Sequence, residues 1–233
     1  MSWKLLYWIL GLIVVLPLFN FLLGVHPPRF QTDDDPKRYG LDYESVSFPT
    51  SDGLTLRGWF IPTASAARES WRQGGMAWNT CGTVLVGHGY PFDKANILRH
   101  ALFLHPRFHL LLFDFRYFGE SDGGYTTAGL LETRDVQAAI EYVKSRSDVN
   151  PESIGALGFS MSASAFITAR HPDVYVKSRA KNFGPEVKFR VTLSTAGPSK
   201  PAVEQALNET QHDLEQALAA KNISIDEPTE ANY

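Results

Sequence analysis

Three short apolar runs constrain what this chain of 233 residues can become more than any other feature. Thr83-Val84-Leu85-Val86, Leu110-Leu111-Leu112-Phe113 and Ile154-Gly155-Ala156-Leu157 suit buried strands: short, apolar and in part β-branched. Helical patterns separate them. Asp93 can cap a helix reaching into the stretch from His100 to Leu104, with Ile97, Ala101 and Leu104 on one face. A longer helix follows the second run, with Val136, Ala139, Ile140 and Val143 as its buried stripe. Strands and helices alternating at this spacing give β-α-β units, so the expected class is α/β, with a mainly parallel sheet and helices on both faces. Upstream, the apolar period changes to two. Tyr43, Val46 and Phe48, then Leu54, Leu56, Gly58 and Phe60, flank Ser51-Asp52-Gly53, whose Asp-Gly turn predicts an N-terminal antiparallel hairpin.

The third run leads straight into Gly158-Phe159-Ser160-Met161-Ser162 and then into residues that can continue as a helix. Read physically, this is a strand, a very tight turn with Ser160 at its apex, and a helix whose N-terminal amides lie beside the hydroxyl. Such a turn needs small residues two before and two after the serine, because strand and helix approach closely. Gly158 meets the first need and Ser162 the second.

The N-terminus carries a different signal. Residues 5–25 contain no charge, and Asn20 alone is strongly polar. As a helix they span roughly 31 Å, against about 30 Å for a bilayer core, with Trp3, Tyr7 and Trp8 where interfacial aromatics belong. A cleaved signal peptide would have a shorter apolar region and a small-x-small site, and none precedes His26-Pro27-Pro28. The expectation is one transmembrane helix within an anchor of residues 1–28, and a single-pass membrane localisation. The basic residues Lys4 on one side and Arg29, Lys37 and Arg38 on the other leave the side of the soluble part open. Residues 29–42 read as a polar linker in which Asp33, Asp34 and Asp35 form a solvated spacer, because nothing nearby completes a metal-ligand set.

A net charge of −3 gives no electrostatic reason to expect a nucleic-acid partner. Cys81 is the sole cysteine, so an intrachain disulfide and a cysteine-based zinc site are both excluded. Past the elbow, His171-Pro172 marks the end of the helix, residues 188–193 suit one more strand, and Ser199 and Pro201 open a helix with Val203, Ala206, Leu207, Leu214, Ala217 and Leu218 at helical spacing.

His88-Gly89-Tyr90 after the first run, Asp114 through Gly123 after the second, and Gly158 through Ser162 after the third stand in an order that resembles the α/β-hydrolase superfamily, in particular its membrane-anchored serine hydrolases and serine-aminopeptidase-like members. The resemblance covers roughly residues 43–193. It implies a Ser160 nucleophile attacking a small acyl or peptide substrate, with an oxyanion held by the amides of Met161 and Tyr90. It implies turn roles for His88 and Gly89, structural roles for Asp114 and Ser121, and no cofactor or metal. Tyr117 stands where the family usually has glycine, so the Asp-x-Arg loop is expected to differ in shape. Without that resemblance, a nucleotide-binding turn at Gly155-x-x-Gly158 is the competing reading, but it lacks the glycine-rich fingerprint at the first strand.

A serine hydroxyl needs a base, and the family orders serine, acid, histidine along the chain. Two histidines follow Ser160. His171 is eleven residues down the same helix, roughly 16 Å along its axis, and His212 lies off the apolar stripe of its helix, beside Glu209, Asp213 and Gln216. No strand ending in aspartate and no Gly-His loop follows residue 193. The expectation is an incomplete hydrolase domain over 43–198, lacking the C-terminal third that carries acid and histidine, followed by an amphipathic helix and polar tail over 199–233. Two functions follow: a weak or inactive serine hydrolase tethered to a membrane, or a non-catalytic interaction protein on the same scaffold.

Overall fold

The computed structural model describes residues 3–63, 82–170, 175–180, 189–194 and 199–219. The chain divides into two compact units, Met1–Phe166 and Ile167–Tyr233, each described by itself. The first begins with helix α1, Trp3–Val25. Its sheet is built from β1 (Glu44–Pro49), β2 (Thr55–Ile61), β3 (Thr83–Gly87), β4 (His109–Phe113) and β5 (Ile154–Gly158) in the order β1-β2-β4-β3-β5. Three helices join or follow these strands: α2 (Lys94–Ala101), α3 (Glu132–Ser145) and α4 (Met161–Arg170).

The hairpin is where the Asp-Gly turn places it, with Glu44 opposite Phe60 and Pro49 opposite Thr55. The sheet is mixed rather than mainly parallel. The pairs β1-β2 and β2-β4 are antiparallel, while β3-β4 and β3-β5 are parallel, because β2 inserts next to β4 instead of remaining a separate hairpin.

Alternation along β3 and β4 sends side chains to both faces. Val84, Val86, Leu110 and Leu112 meet Ile97, Leu98 and Ala101 of α2 on one face. On the other, Phe48 lies edge-on to Phe113 and stacks on Tyr142 of α3, with ring centroids 4.9 Å apart. Val136, Ala139 and Val143 are buried as the helical stripe requires. Asp93 caps α2 by accepting from the Asn96 amide at 2.9 Å. β5 departs from the expected buried strand. Among the described residues it is an edge strand, partnered on the β3 side, and Gly155 and Ala156 are exposed.

Among the described residues no helix is long and apolar enough to cross a membrane. The expectation of a transmembrane helix is not met by that measure. The backbone of α1 covers 23 residues, with Lys4 its one charge and Pro17 inside it. Residues 29–42 are not a free linker. Asp35 caps a 3-10 helix over Pro36–Tyr39, Asp34 accepts from Tyr39 Oη at 2.7 Å, and the Thr32 amide donates to Asp93 at 2.6 Å.

In the second unit β6 (Tyr175–Ala180) and β7 (Phe189–Ser194) pair antiparallel as a sheet of their own, and α5 (Lys200–Ala219) packs on β7. The strand expected over 188–193 therefore exists, but beside a hairpin partner that its sequence neighbourhood did not suggest. His171 lies outside the described residues.

Candidate active site

The backbone at Ser160 carries the strongest signal. Its φ is 56°, in the left-handed region that a non-glycine residue seldom enters, and its side chain is exposed at the junction of β5 and α4. The flanking residues explain how the turn closes. A Cβ on Gly158 would come within 2.7 Å of the Ala163 nitrogen, so only glycine lets the helix approach. Ser162 is fully buried. Its Oγ accepts from the Phe159 amide at 2.7 Å and donates to the Gly87 carbonyl at 2.8 Å, tying the elbow to the end of β3. A Cβ on Gly87 would lie 2.5 Å from the Ser162 Cβ. The serine in place of a second small residue is therefore matched by a glycine on the neighbouring strand.

Parallel register brings the second motif to the same place, with Gly87 opposite Gly158. A Cβ on Gly89 would stand 3.4 Å from Ser160 Cβ and 3.3 Å from the Phe159 carbonyl, so the His-Gly-Tyr turn passes close to Ser160. Met161 is the first residue of α4, where the amide has no intrahelical acceptor. Neither its amide nor that of Tyr90 donates to a backbone carbonyl outside the regular elements.

His88 is fully buried between Phe115 and Phe118. Its Nε2 accepts from the Phe115 amide at 3.0 Å, so Nδ1 carries the proton and donates to the Gly89 carbonyl at 3.0 Å. Both nitrogens are occupied, which fits a turn residue and excludes a base. Burial pushes its pKa below the ordinary histidine value. The unfolded chain takes up a proton near pH 6.5 that the folded chain resists, so this contribution to stability is present above that pH and is lost below it. Between pH 7.5 and 5.5 the urea stability of the wild type is expected to fall by up to about 1.4 kcal/mol more than that of His88→Gln. Equal slopes would count against a buried neutral imidazole.

The loop after β4 is shaped by Asp114. Its carboxylate accepts from the Lys94 amide at 2.6 Å, Lys94 Nζ at 2.7 Å and the Glu120 amide at 3.0 Å. Burial disfavours the Lys94 ammonium, yet Asp114 and Glu120 outweigh it and raise its pKa. Ser121 Oγ donates to the Asp114 carbonyl at 2.6 Å and accepts from the Arg57 amide at 2.9 Å. Asp114 and Ser121 are thus structural. Tyr117 stands within this loop. It adopts φ 72°, the conformation a glycine would take, held by its amide donating to the Asp122 carbonyl at 2.8 Å and its phenol donating to the Pro27 carbonyl at 2.7 Å.

Two features were missed in the sequence. Glu132, fully buried at the start of α3, accepts from Thr126 Oγ1, Thr127 Oγ1 and the amides of Thr127 and Gly129 at 2.6 to 2.9 Å. It holds that loop against the elbow helix, where Thr126 Oγ1 lies 3.9 Å from Met161 Sδ. Gly129-x-x-Glu132 has the spacing of half a capping box, and that signal could have found it. The other is residues 24–29, which reach the same loops. Among the described residues, no histidine is hydrogen-bonded to Ser160. His26 bonds the Leu22 carbonyl, His105 the Pro62 carbonyl, and His212 is exposed beside Gln216.

A left-handed serine between strand and helix, with a His-Gly turn against it, defines an α/β-hydrolase scaffold. The chain is 38% identical over 142 residues to the uncharacterised protein YfhR of Salmonella typhimurium, an alignment covering 58% of this chain and 44% of that protein. It is 25% identical over 142 residues to the alpha/beta hydrolase domain-containing protein WAV2 of Arabidopsis thaliana, covering 59% of this chain and 42% of that one. Among solved structures, the Pyrococcus furiosus esterase Pf2001 is similar at 32% identity and a TM-score of 0.51, over 62% of this chain and 51% of that chain. The chain spans less than half the length of these curated relatives. Protein-family models give no match.

Proposed function

We propose that this chain is the nucleophile-bearing part of a membrane-anchored serine hydrolase acting on acyl esters or peptides. Ser160 is the nucleophile, and the amides of Tyr90 and Met161 receive the oxyanion. The observation that carries the reading is the exposed Ser160 at φ 56° with Gly89 packed against its Cβ. The 23-residue apolar helix α1 supports the anchor. Because no described histidine bonds the serine, turnover of p-nitrophenyl acetate by this chain is expected to be slow, and Ser160→Ala is expected to change it little. The same absence favours a second reading, a non-catalytic scaffold that binds a partner.

Ser160→Cys in a Cys81→Ala background separates the two. A thiol at this helix N-terminus is expected to titrate below the ordinary value of about 8.5, since the amides and helix dipole favour the thiolate. It then needs no base. The thiolate attacks the ester carbonyl, a C–S bond forms, the C–O bond breaks and p-nitrophenolate leaves. A stable thioester at position 160 by mass spectrometry, formed faster than on free cysteine at the same pH, is the expected result. An ordinary thiol pKa with no rate advantage would overturn the hydrolase reading in favour of the scaffold.

A further inference from the structure

The geometry points to a nucleophile that opens at the membrane–water interface, so that the acyl substrate is an amphiphile lying in the lipid leaflet rather than a solute taken from water. The inference rests on the anchored-hydrolase reading and names the substrate class of that same site.

The observation is where α1 ends. The last carbonyls of a helix have no intrahelical donor, and in a low-dielectric setting each unsatisfied one is costly. Here the donors come from the loops around Ser160. Tyr90 Oη donates to the Gly24 carbonyl at 3.0 Å, and the Thr126 amide donates to the Val25 carbonyl at 2.9 Å. The next residues extend the same seat. Tyr117 Oη donates to the Pro27 carbonyl at 2.7 Å, Arg29 Nη2 donates to the Gly123 carbonyl at 2.9 Å, and the Arg29 guanidinium lies 4.9 Å from the centre of the Tyr117 ring. The His26 ring stands edge-on to Tyr117. Tyr90 directly follows Gly89, which touches Ser160, and Thr126 lies against Met161. One side chain therefore separates the end of the anchor helix from the turn beside the nucleophile.

Depth follows from length. Twenty-three helical residues measure about 34 Å, so a bilayer core of about 30 Å crossed by α1 ends near Val25, and the loops that cap Gly24 and Val25 lie in the headgroup layer. Their exposed side chains suit that layer. Phe92 and Tyr125 are 42% and 49% exposed, Leu130 follows Gly129 on the elbow side, and Phe30 lies beside Phe92 with ring centroids 6.3 Å apart. Tyrosine collects at membrane interfaces, and the phenylalanines and Leu130 add apolar surface beside Tyr125. The Tyr125 ring lies 6.3 Å from that of His26, just past the end of α1, and a lipid surface is the occupant that fits both this collar and the exposed apolar side chains of α1.

The test uses the full chain in phosphatidylcholine vesicles, with a nitroxide on single cysteines in the Cys81→Ala background. The positions are Val14→Cys in mid-helix, Phe92→Cys and Tyr125→Cys on the collar, and Lys144→Cys at the far end of α3. Collisions with oxygen and with a water-soluble nickel chelate read depth. The expected pattern is Val14 in the core, Phe92 and Tyr125 shielded from nickel, and Lys144 in water. Collar labels as open to nickel as Lys144, with Val14 in the core, would overturn the inference and leave the anchor standing. Val14 in water would remove both. A second arm carries p-nitrophenyl palmitate in the vesicles. The Ser160→Cys thiol is expected to be acylated about tenfold or more faster than the Lys144→Cys thiol, the gain of confining thiol and ester to one surface. Equal rates, with the Ser160→Cys thiol still reactive toward p-nitrophenyl acetate, would overturn the substrate class while leaving the nucleophile in place.

Discussion

Replacing Arg116 by methionine is expected to remove about 3–5 kcal/mol of folding stability, the usual result of leaving a buried carboxylate without its partner. The Arg116 side chain is nearly inaccessible, as is that of Asp135. Its Nε and Nη2 donate to Asp135 Oδ1 at 3.0 and 2.7 Å, and its own amide donates to Asp135 Oδ2 at 2.8 Å. The other edge of the guanidinium reaches Asp52 through Nη1 at 2.8 Å and Nη2 at 3.1 Å. One side chain thus joins the hairpin turn, the loop after β4 and the first turn of α3. Burial works against the Arg116 charge, but the hydrogen bonds to Asp135 and Asp52 prevail and raise its pKa, while those same bonds hold Asp52 well below the ordinary carboxylate range. Asp52 stabilises the fold above its unfolded pKa of about 3.9 and loses that contribution as pH falls on through its lower folded value, while burial raises Asp135 to about 6, so the Arg116→Met deficit should narrow in acid as Asp135 is neutralised. Small domains hold about 5–15 kcal/mol in total, so the loss should be plain in urea midpoints at pH 7. Adding Asp135→Leu should recover much of it, because a well-packed apolar pair can replace a buried ion pair. A loss below about 1 kcal/mol in the single variant would contradict the bridging role.

Much of this architecture is carried by local signals. The strands β3 and β4, the Asp52-Gly53 hairpin and the Asp93 cap all rest on neighbours within a few residues, and so does the elbow, whose tightness is written in Gly158 and Ser162. What the sequence withheld depends on partners far along the chain. Residues 24–35 read as a helix end and a polar spacer, because their partners Tyr90, Asp93, Gly123 and Thr126 lie roughly 60 to 100 residues away and carry no periodic signal. The φ of 72° at Tyr117 was not legible locally either, since its phenol bonds the distant Pro27 carbonyl. The burial of β5 was overestimated for a related reason: an apolar run fits a central strand and an edge strand alike, and the sheet order decides which it is. In the candidate site, the tight turn at Ser160 was legible from Gly158 and Ser162. The Glu132 brace was not, since a buried glutamate has the same letter as an exposed one.

Introducing arginine at Val14 and Leu18 together is expected to shift the protein from the membrane fraction to the supernatant or to aggregates. The wild type is expected to stay in the pellet through high salt and alkaline carbonate. The expected effect follows from the details of α1. Val14 and Leu18 are more than half exposed among the described residues. Pro17 sits inside the helix and Asn20 Nδ2 donates back to the Leu16 carbonyl at 2.9 Å, so the helix satisfies its own polar side chain. Spanning helices tolerate an internal proline when neighbouring groups and local adjustments re-satisfy the freed backbone groups. Each arginine near the middle of a span costs about 2.5–3.5 kcal/mol, so two cost about 5–7 kcal/mol. At about 1.4 kcal/mol per factor of ten, the partition toward lipid weakens by roughly three to five orders of magnitude. Val14→Leu with Leu18→Val keeps the apolar surface and should leave the protein in the pellet. The measurement is the pellet-to-supernatant ratio after carbonate extraction of the three proteins expressed at equal level. Release of the wild type would remove the anchor, while retention of the double arginine variant would mean that something other than the apolar face of α1 holds the protein at the membrane.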